Sequence, residues 1–318
     1  MNVQGHENCF ACRQGFCLNT IAVVAGGLDA SLLMEKRHEG WLDIPHGGIG
    51  ISALIDLADL AWLQETGRNL PYPCSLSLKF GDVCRLGDQL QMTARMNHEL
   101  RRVELQMKRQ GEEKNYLAGA AEPVADGNDD ACLPLPPVAE LESAGMLRAL
   151  SIYENCFICG NQRQAPGIGR RFFQGSFAGQ DYILARYGFA AADAAVAHWF
   201  QQGQEMLHPG VIGAVLDEIC GWSGFIAGEL FGVTVRLDLT FQRPVGVAEK
   251  LIFASPTPRV KGRSSRQVYY ATGQVLSLDN DGGYELVAAA SGQWLVVPRL
   301  RQQFYDTRVE EKLDQVSF

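Results

Sequence analysis

The sequence predicts an α+β fold built twice in tandem, each unit an antiparallel sheet wrapped around one central helix. Three observations carry this expectation. The same landmarks occur twice in the same order. Each copy holds one helix-length run that is apolar nearly all round. Each such run is followed by segments with strand character.

The repeat is read by self-comparison. Glu7-Asn8-Cys9-Phe10-Ala11-Cys12 returns as Glu154-Asn155-Cys156-Phe157-Ile158-Cys159, an offset of 147 (156 minus 9). His46-Gly47-Gly48 returns as His208-Pro209-Gly210, an offset of 162 (208 minus 46). Ser77-Leu78-Lys79-Phe80 returns as Asp238-Leu239-Thr240-Phe241, an offset of 161 (241 minus 80). Each copy closes on a small-residue strand, Leu117-Ala118-Gly119-Ala120 and Val287-Ala288-Ala289-Ala290. The growth in offset puts an insertion into the second copy, near 189–198.

Taken in order, each copy starts with a cysteine pair and one or two strands. A glycine loop and a central helix follow, expected at 48–66 and 211–225. Ile49, Ile51, Leu54, Ile55, Ala58 and Ala61 recur at helical spacing. Apolar residues surround this helix, so a sheet should wrap it. Strands follow at 75–80, 89–97, 102–109 and 116–123, then at 234–241, 250–256, 265–278 and 284–297, alternating or rich in β-branched and aromatic residues. Asp279-Asn280-Asp281-Gly282-Gly283 is a hairpin turn. The expected units are 1–125 and 151–298. Between them, 126–150 begins acidic and turns proline-rich at Pro134, Pro136 and Pro137, as a linker does. The charged tail 299–318 is expected to be a short helix or loose, without function.

Composition excludes several classes. A net charge of −8 argues against wholesale nucleic-acid binding. The first residues, Met1 to His6, have no apolar signal core. No apolar run reaches the roughly 18 residues of a membrane span. Nine cysteines, an odd number, argue against a secreted disulfide framework. The expected setting is soluble and cytoplasmic, with reduced thiols.

The candidate chemistry sits where the glycine loop enters the helix. A helix N-terminus offers unpaired N–H groups to a negative oxygen. A carboxylate inside an apolar helix needs a partner or a task. Asp56 is such an acid in the first copy; Asp217 and Glu218 are such acids in the second. Together these are the parts of an acyl-transfer site. His46 and His208 read as hydrogen-bonders that fix the loops.

The stretch from His38 to Gly48 resembles the PaaI-like acyl-CoA thioesterases of the hotdog superfamily. So do the two Asn-Cys-Phe-x-Cys starts and Phe241-Gln242-Arg243-Pro244-Val245. The resemblance touches landmarks from about residue 7 to residue 297. It implies two hotdog domains in tandem, packed as the two subunits of a hotdog dimer pack. It also implies an oxyanion donor, the N–H of the residue after the histidine, and an acid nine positions after the histidine on the partner's helix. In the first copy these positions hold Gly47 and Ile55; in the second, Pro209 and Asp217. Proline has no N–H, and isoleucine is no acid. If loop and acid come from opposite copies, Gly47 with Asp217 is intact and Pro209 with Ile55 is not. The candidate catalytic residues are therefore Asp217 and Gly47, with Glu218, His46, Gly48 and Asp56 around them. One departure counts against the likeness. Relatives often carry a neutral amide shortly before the histidine, where this chain has His38, Glu39 and Asp43; Gln201 and Gln202 stand on the other side.

An acyl-CoA substrate brings phosphates. Arg101 and Arg102, and Arg263 and Arg266 in the second copy, are the candidate cations for them. No cofactor is expected beyond the coenzyme A of the substrate. Cys9, Cys12, Cys156 and Cys159 could form a four-thiolate zinc site if the two starts met. Phe10 and Phe157 between them favour packing instead, so no metal ligand is assigned. The expected partner is a thioester, and whole chains have room to form a homo-oligomer. Two other functions compete with hydrolysis: thioester binding without turnover, and a hotdog dehydratase or hydratase. The eight positions from Pro209 to Asp217 are more than a dehydratase uses.

Overall fold

The computed structural model describes residues 9–125, 132–141, 147–188, 201–202, 205–263, 267–279 and 281–309. Two long helices form around the glycine loops, α1 (Gly47–Thr66) and α2 (Pro209–Ile226). Every residue of α1 from Gly48 to Trp62 is buried, as an all-round apolar run requires. α1 stops at Gly67, whose φ of 73° is left-handed. α2 opens on Pro209, which suits a first turn because its missing N–H would have had no helical partner.

Fourteen strands form one sheet in which every pairing is antiparallel. In the first half they are β1 (Thr20–Val24), β2 (Gly27–Leu33), β3 (Cys74–Phe80), β4 (Gln89–Asn97), β5 (Arg102–Arg109) and β6 (Asn115–Pro123). In the second they are β7 (Leu147–Ala149), β8 (Phe173–Phe177), β9 (Gln180–Tyr187), β10 (Gly232–Phe241), β11 (Leu251–Pro256), β12 (Arg259–Lys261), β13 (Val268–Leu278) and β14 (Tyr284–Val296). The order across the sheet is β1-β2-β4-β5-β6-β3-β10-β14-β13-β11-β9-β8-β7, with β12 beside β13. Both halves thus run in matching order outward from the β3·β10 seam. Ser77 faces Asp238 there, with Leu76 opposite Leu239 and Leu78 opposite Leu237. Exchanging the two halves turns each of these leucine pairs into the other.

Each helix packs on the sheet of its own half, and the two helices touch. Their contact explains two glycines. A Cβ on Gly48 would stand 2.3 Å from Ala214 Cβ, and one on Gly210 would stand 2.6 Å from Ser52 Cα. Only glycine permits that approach.

Several expectations need correction. Leu147–Ala149, assigned to the linker, pairs with β8 as an edge strand. Leu133, Leu135, Val138 and Leu141 pack with Phe177, Tyr182 and Ile252 in a second core, because apolar residues interleave the prolines. Of the tail, 310–318 lie outside the described residues. Before them the short helix that was one of the two expectations forms, α3 (Pro298–Thr307), with Phe304 buried in it. Its ring lies 4.9 Å from Phe231, 5.4 Å from Trp222 and 5.7 Å from Trp41. The expected insertion at 189–198 lies outside the described residues. No described helix is long and apolar enough to cross a membrane.

Candidate active site

At each loop the histidine caps its helix. His46 Nδ1 accepts a hydrogen bond from the Gly48 N–H at 2.8 Å, and His208 Nδ1 accepts from the Gly210 N–H at 2.9 Å. The ring does what Ser or Asp usually does at this position. Gly48 therefore has its N–H engaged. Gly47, the first residue of α1, lies ahead of the helical hydrogen-bond ladder.

Asp217 reaches this loop from α2. Its Oδ1 accepts from Thr234 Oγ1 at 2.8 Å. Its Oδ2 faces Gly47, where an added Cβ would stand 2.8 Å from it and 3.3 Å from Phe80 Cε1. Asp217 is only 6% exposed. Burial pushes its carboxyl up to about 6, against the pull of His46 and of the Thr234 hydrogen bond. A buried carboxylate thus stands beside a helix N-terminus, and the two come from opposite halves.

The complementary pairing is different in kind. Pro209 and Ile55 line a cavity of about 300 Å³ together with Asp59, Tyr72, Gln202 and Met206. Asp59 does not stand in for the missing acid. Its oxygens accept from Leu70 N at 2.6 Å, Asn69 Nδ2 at 2.7 Å and Gln202 Nε2 at 3.0 Å. The amide of Gln202 is thereby tied to a structural carboxylate. Glu39 is likewise engaged: its Oε1 accepts from Asp43 N at 2.9 Å and from Tyr153 OH at 3.2 Å, and Lys36 pairs with it.

Glu218, Asp56, His46 and Gly48, expected around the reacting centre, have other partners. One step along a helix turns a side chain by about 100°, so Glu218 points away from Gly47. Its Oε2 meets His46 Nε2 at 2.9 Å, and its Oε1 accepts from Trp222 Nε1 at 3.1 Å with Cys156 Sγ 4.0 Å away. Asp56 makes the matching cluster. Its Oδ1 meets His208 Nε2 at 3.2 Å and Cys9 Sγ at 3.1 Å, and its Oδ2 meets Cys12 Sγ at 3.1 Å. The four cysteines do not gather into one site among the described residues; Cys9 and Cys12 group with Asp56, and Cys156 with His46 and Glu218.

The candidate cations are scattered. Arg101 and Arg102 lie at the β4–β5 turn, where Arg102 Nη2 is 2.9 Å from Glu104 Oε1. Arg263 follows β12. Arg266 lies outside the described residues.

No protein-family model and no curated protein matches the chain. Solved structures do. The chain is similar to "a putative thioesterase II" from Thermobifida fusca YX, at 14% identity and a TM-score of 0.53, covering 89% of this chain and 98% of that one. It is similar to the tesB protein of Mycobacterium avium subs paratuberculosis, at 12% identity and a TM-score of 0.51, covering 90% and 98%. It matches the dehydratase domain from the CurF module of curacin polyketide synthase as well, at 11% identity and a TM-score of 0.51, covering 89% and 99%. The shared feature is the hotdog fold. At these identities the likeness concerns architecture, and hydrolases and dehydratases carry it alike.

Sequence reasoning missed Thr234, Trp222 and Phe80. Trp222 stands one helical turn after Glu218, a local spacing that the sequence carried, whereas Thr234 and Phe80 reach Asp217 and Gly47 only through tertiary contact. Thr234 lies on a strand after the helix that carries Asp217, and nothing local announces that pairing.

Proposed function

We propose that the chain is a tandem double hotdog that hydrolyses an acyl thioester, acyl-CoA in the first instance, at one composite site. Asp217 takes a proton from the water that attacks the carbonyl, or attacks the carbonyl itself to form an anhydride that water then opens to the free acid, and in either case the Gly47 N–H receives the oxyanion that forms. In both routes the C–S bond breaks and the thiol leaves with a proton. The observation that carries this reading is the approach of Asp217 Oδ2 to Gly47 across the two halves. A carboxyl near 6 suits a base that works at neutral pH. The reaction calls for no cofactor besides the coenzyme A of the substrate. The test is loss of thioester absorbance across short, medium, long and aryl acyl-CoA, for the wild type and Asp217→Asn. Hydrolysis of at least one class, lost in the variant, supports the proposal.

A second reading has its own observation. The cavity of about 300 Å³ lies at Pro209 and Ile55, where donor and acid are absent. A thioester held there would be bound without being cleaved. Binding with no turnover on any chain length would favour it. A dehydratase is disfavoured by the histidine: both ring nitrogens of His46 are occupied, by Gly48 N–H and Glu218.

A further inference from the structure

The two carboxylate clusters ask for an explanation that hydrolysis does not give. In the first, Cys9, Cys12 and Asp56 have donor atoms all within 4.8 Å of one another, and His208 is bound to Asp56. In the second, the donor atoms within 4.8 Å of one another are those of His46, Cys156 and Glu218, with Glu218 4.0 Å from Cys156 Sγ and bound to His46; Cys159 lies outside that group, next to Glu218. All but Cys12 and Glu218 are buried. The clusters are related by the internal repeat: Cys9 answers to Cys156, Cys12 to Cys159, His208 to His46, and Asp56 to Glu218. Every one of these positions holds a donor in both halves. The neighbouring pair, Gly47 with Asp217, became Pro209 with Ile55 in the other half. Donor chemistry was kept twice where the adjoining chemistry was kept once.

Asp56 already has His208, and Glu218 has His46 and Trp222, so as hydrogen-bond donors the thiols add little to either carboxylate. An S–H is a weak donor, and a buried carboxylate needs strong ones. An apolar pair of similar volume would have been as stable or more so. Two thiolates and a carboxylate at this spacing are what zinc takes. With Zn–S near 2.3 Å and Zn–O about 2.0–2.2 Å, tetrahedral ligand atoms lie about 3.5 Å apart. The two S···O distances of 3.1 Å in the first cluster are close to that. Each sulfur there faces a carboxylate oxygen, so a cation between them meets two sulfurs and the Asp56 carboxylate. The backbone of each knuckle is fixed across the halves in matching fashion: Phe10 N donates to Gln201 O at 2.7 Å, and Phe157 N donates to Glu39 O at 2.7 Å. The rings of Phe10 and Phe157 stack at 6.3 Å between the clusters.

We infer that each half binds one zinc ion, held by Cys9, Cys12 and Asp56 in one cluster and by Cys156, Cys159 and Glu218 in the other. The histidines stand outside the metal shell. Because Nδ1 of each accepts a backbone N–H, the proton is on Nε2 and is donated to the ligating carboxylate, as outer partners of metal ligands do. Uptake of the metal releases the thiol protons. Each ion then ties a cysteine knuckle and its own helix to the glycine loop of the opposite half. The second ion sits behind His46, one residue before Gly47. This inference does not depend on hydrolysis.

The test is elemental analysis of the full chain, purified under reducing conditions without chelator. The expected content is one zinc per cluster, two per chain. Cys9→Ser and Cys156→Ser should each remove one equivalent, and the double variant both. His208→Gln should keep the ligands but weaken the metal about 10–100-fold in competition with a chromophoric chelator. Cobalt uptake by the wild type gives a readout that no variant's folding can obscure: a sulfur-to-cobalt charge-transfer band is expected. Wild-type protein with neither stoichiometric metal nor that band would overturn the inference. So would zinc that persists in the double cysteine variant. Neither readout uses turnover, so failure here and failure of the hydrolase reading are separable.

Discussion

Asp217 Oδ2 and Gly47 meet across the two halves of the chain, so close that a single methyl group on Gly47 would stand 2.8 Å from the carboxylate oxygen. That contact decides what substitutions at the loop should do. Gly47→Pro deletes the N–H and should abolish turnover, since one oxyanion donor is worth about 2.7–4 kcal/mol. Gly47→Ala keeps the N–H but crowds Asp217 and the Phe80 ring, so it should also lower the rate. Pro209→Gly alters the half without the acid and should leave hydrolysis nearly unchanged. Steady-state rates on one acyl-CoA check all three.

The acids should separate as sharply. Asp217→Asn is expected to lose on the order of 10²–10⁴-fold in turnover. Asp56→Asn falls in the Cys9–Cys12–His208 cluster, away from Gly47. It should act on stability and leave most of the rate. Equal losses in two folded variants would mean that Asp56 faces a second working site.

Asp217 also predicts a dependence on pH. Its carboxyl is held up to about 6, chiefly by burial, above its value of about 3.9 in an unfolded chain. The rate should rise as pH passes upward through 6 and the base ionises. Stability runs the other way. Below about 4 both states carry the proton and the site costs nothing; as pH climbs through 6 the folded state must hold a buried charge. That difference is worth roughly 3 kcal/mol at most. Asp217→Asn should therefore be inactive yet melt higher than wild type at pH 7, with the gain vanishing near pH 4. Thr234→Val removes the hydrogen bond that favours the ionised form, so its rate profile should shift to higher pH.

Much of the fold was legible because it is periodic. The four strands expected after each helix lie where alternation put them, to within three residues at their described ends, and both helices start at the glycine loops; the short β12 after α2 was not foreseen. Asp217 lies beside Gly47 of the opposite half, an arrangement the composite-site proposal requires. What could not be read was direction. A step of one residue along a helix separates Asp217 from Glu218, and only the packed helix shows that one faces Gly47 and the other His46 and Trp222. The partnership of Asp56 with the opposite half's His208 has no local signal either. The charged tail left a short helix and a loose end both open, and contacts distant in sequence decide for its described part: the Arg301–Glu229 pair, the pairing of Arg308 and Val309 with Tyr153 and Ile152, and the buried Phe304 ring.

That ring offers a further check. Phe304→Ala empties a pocket among Trp41, Trp222 and Phe231 and should cost about 3–5 kcal/mol. Chemical denaturation will measure it. Loss of only a few tenths of a kcal/mol would mean that α3 is not docked on the aromatic cluster.

The most direct test of the composite site measures binding and hydrolysis side by side for the wild type and Asp217→Asn across a graded series of acyl-CoA chain lengths. The account predicts that the wild type cleaves at least one member, and that Asp217→Asn binds it comparably but cleaves it at least about 100-fold more slowly. A wild type that binds and never cleaves, or an Asp217→Asn variant that cleaves at the wild-type rate, would contradict it.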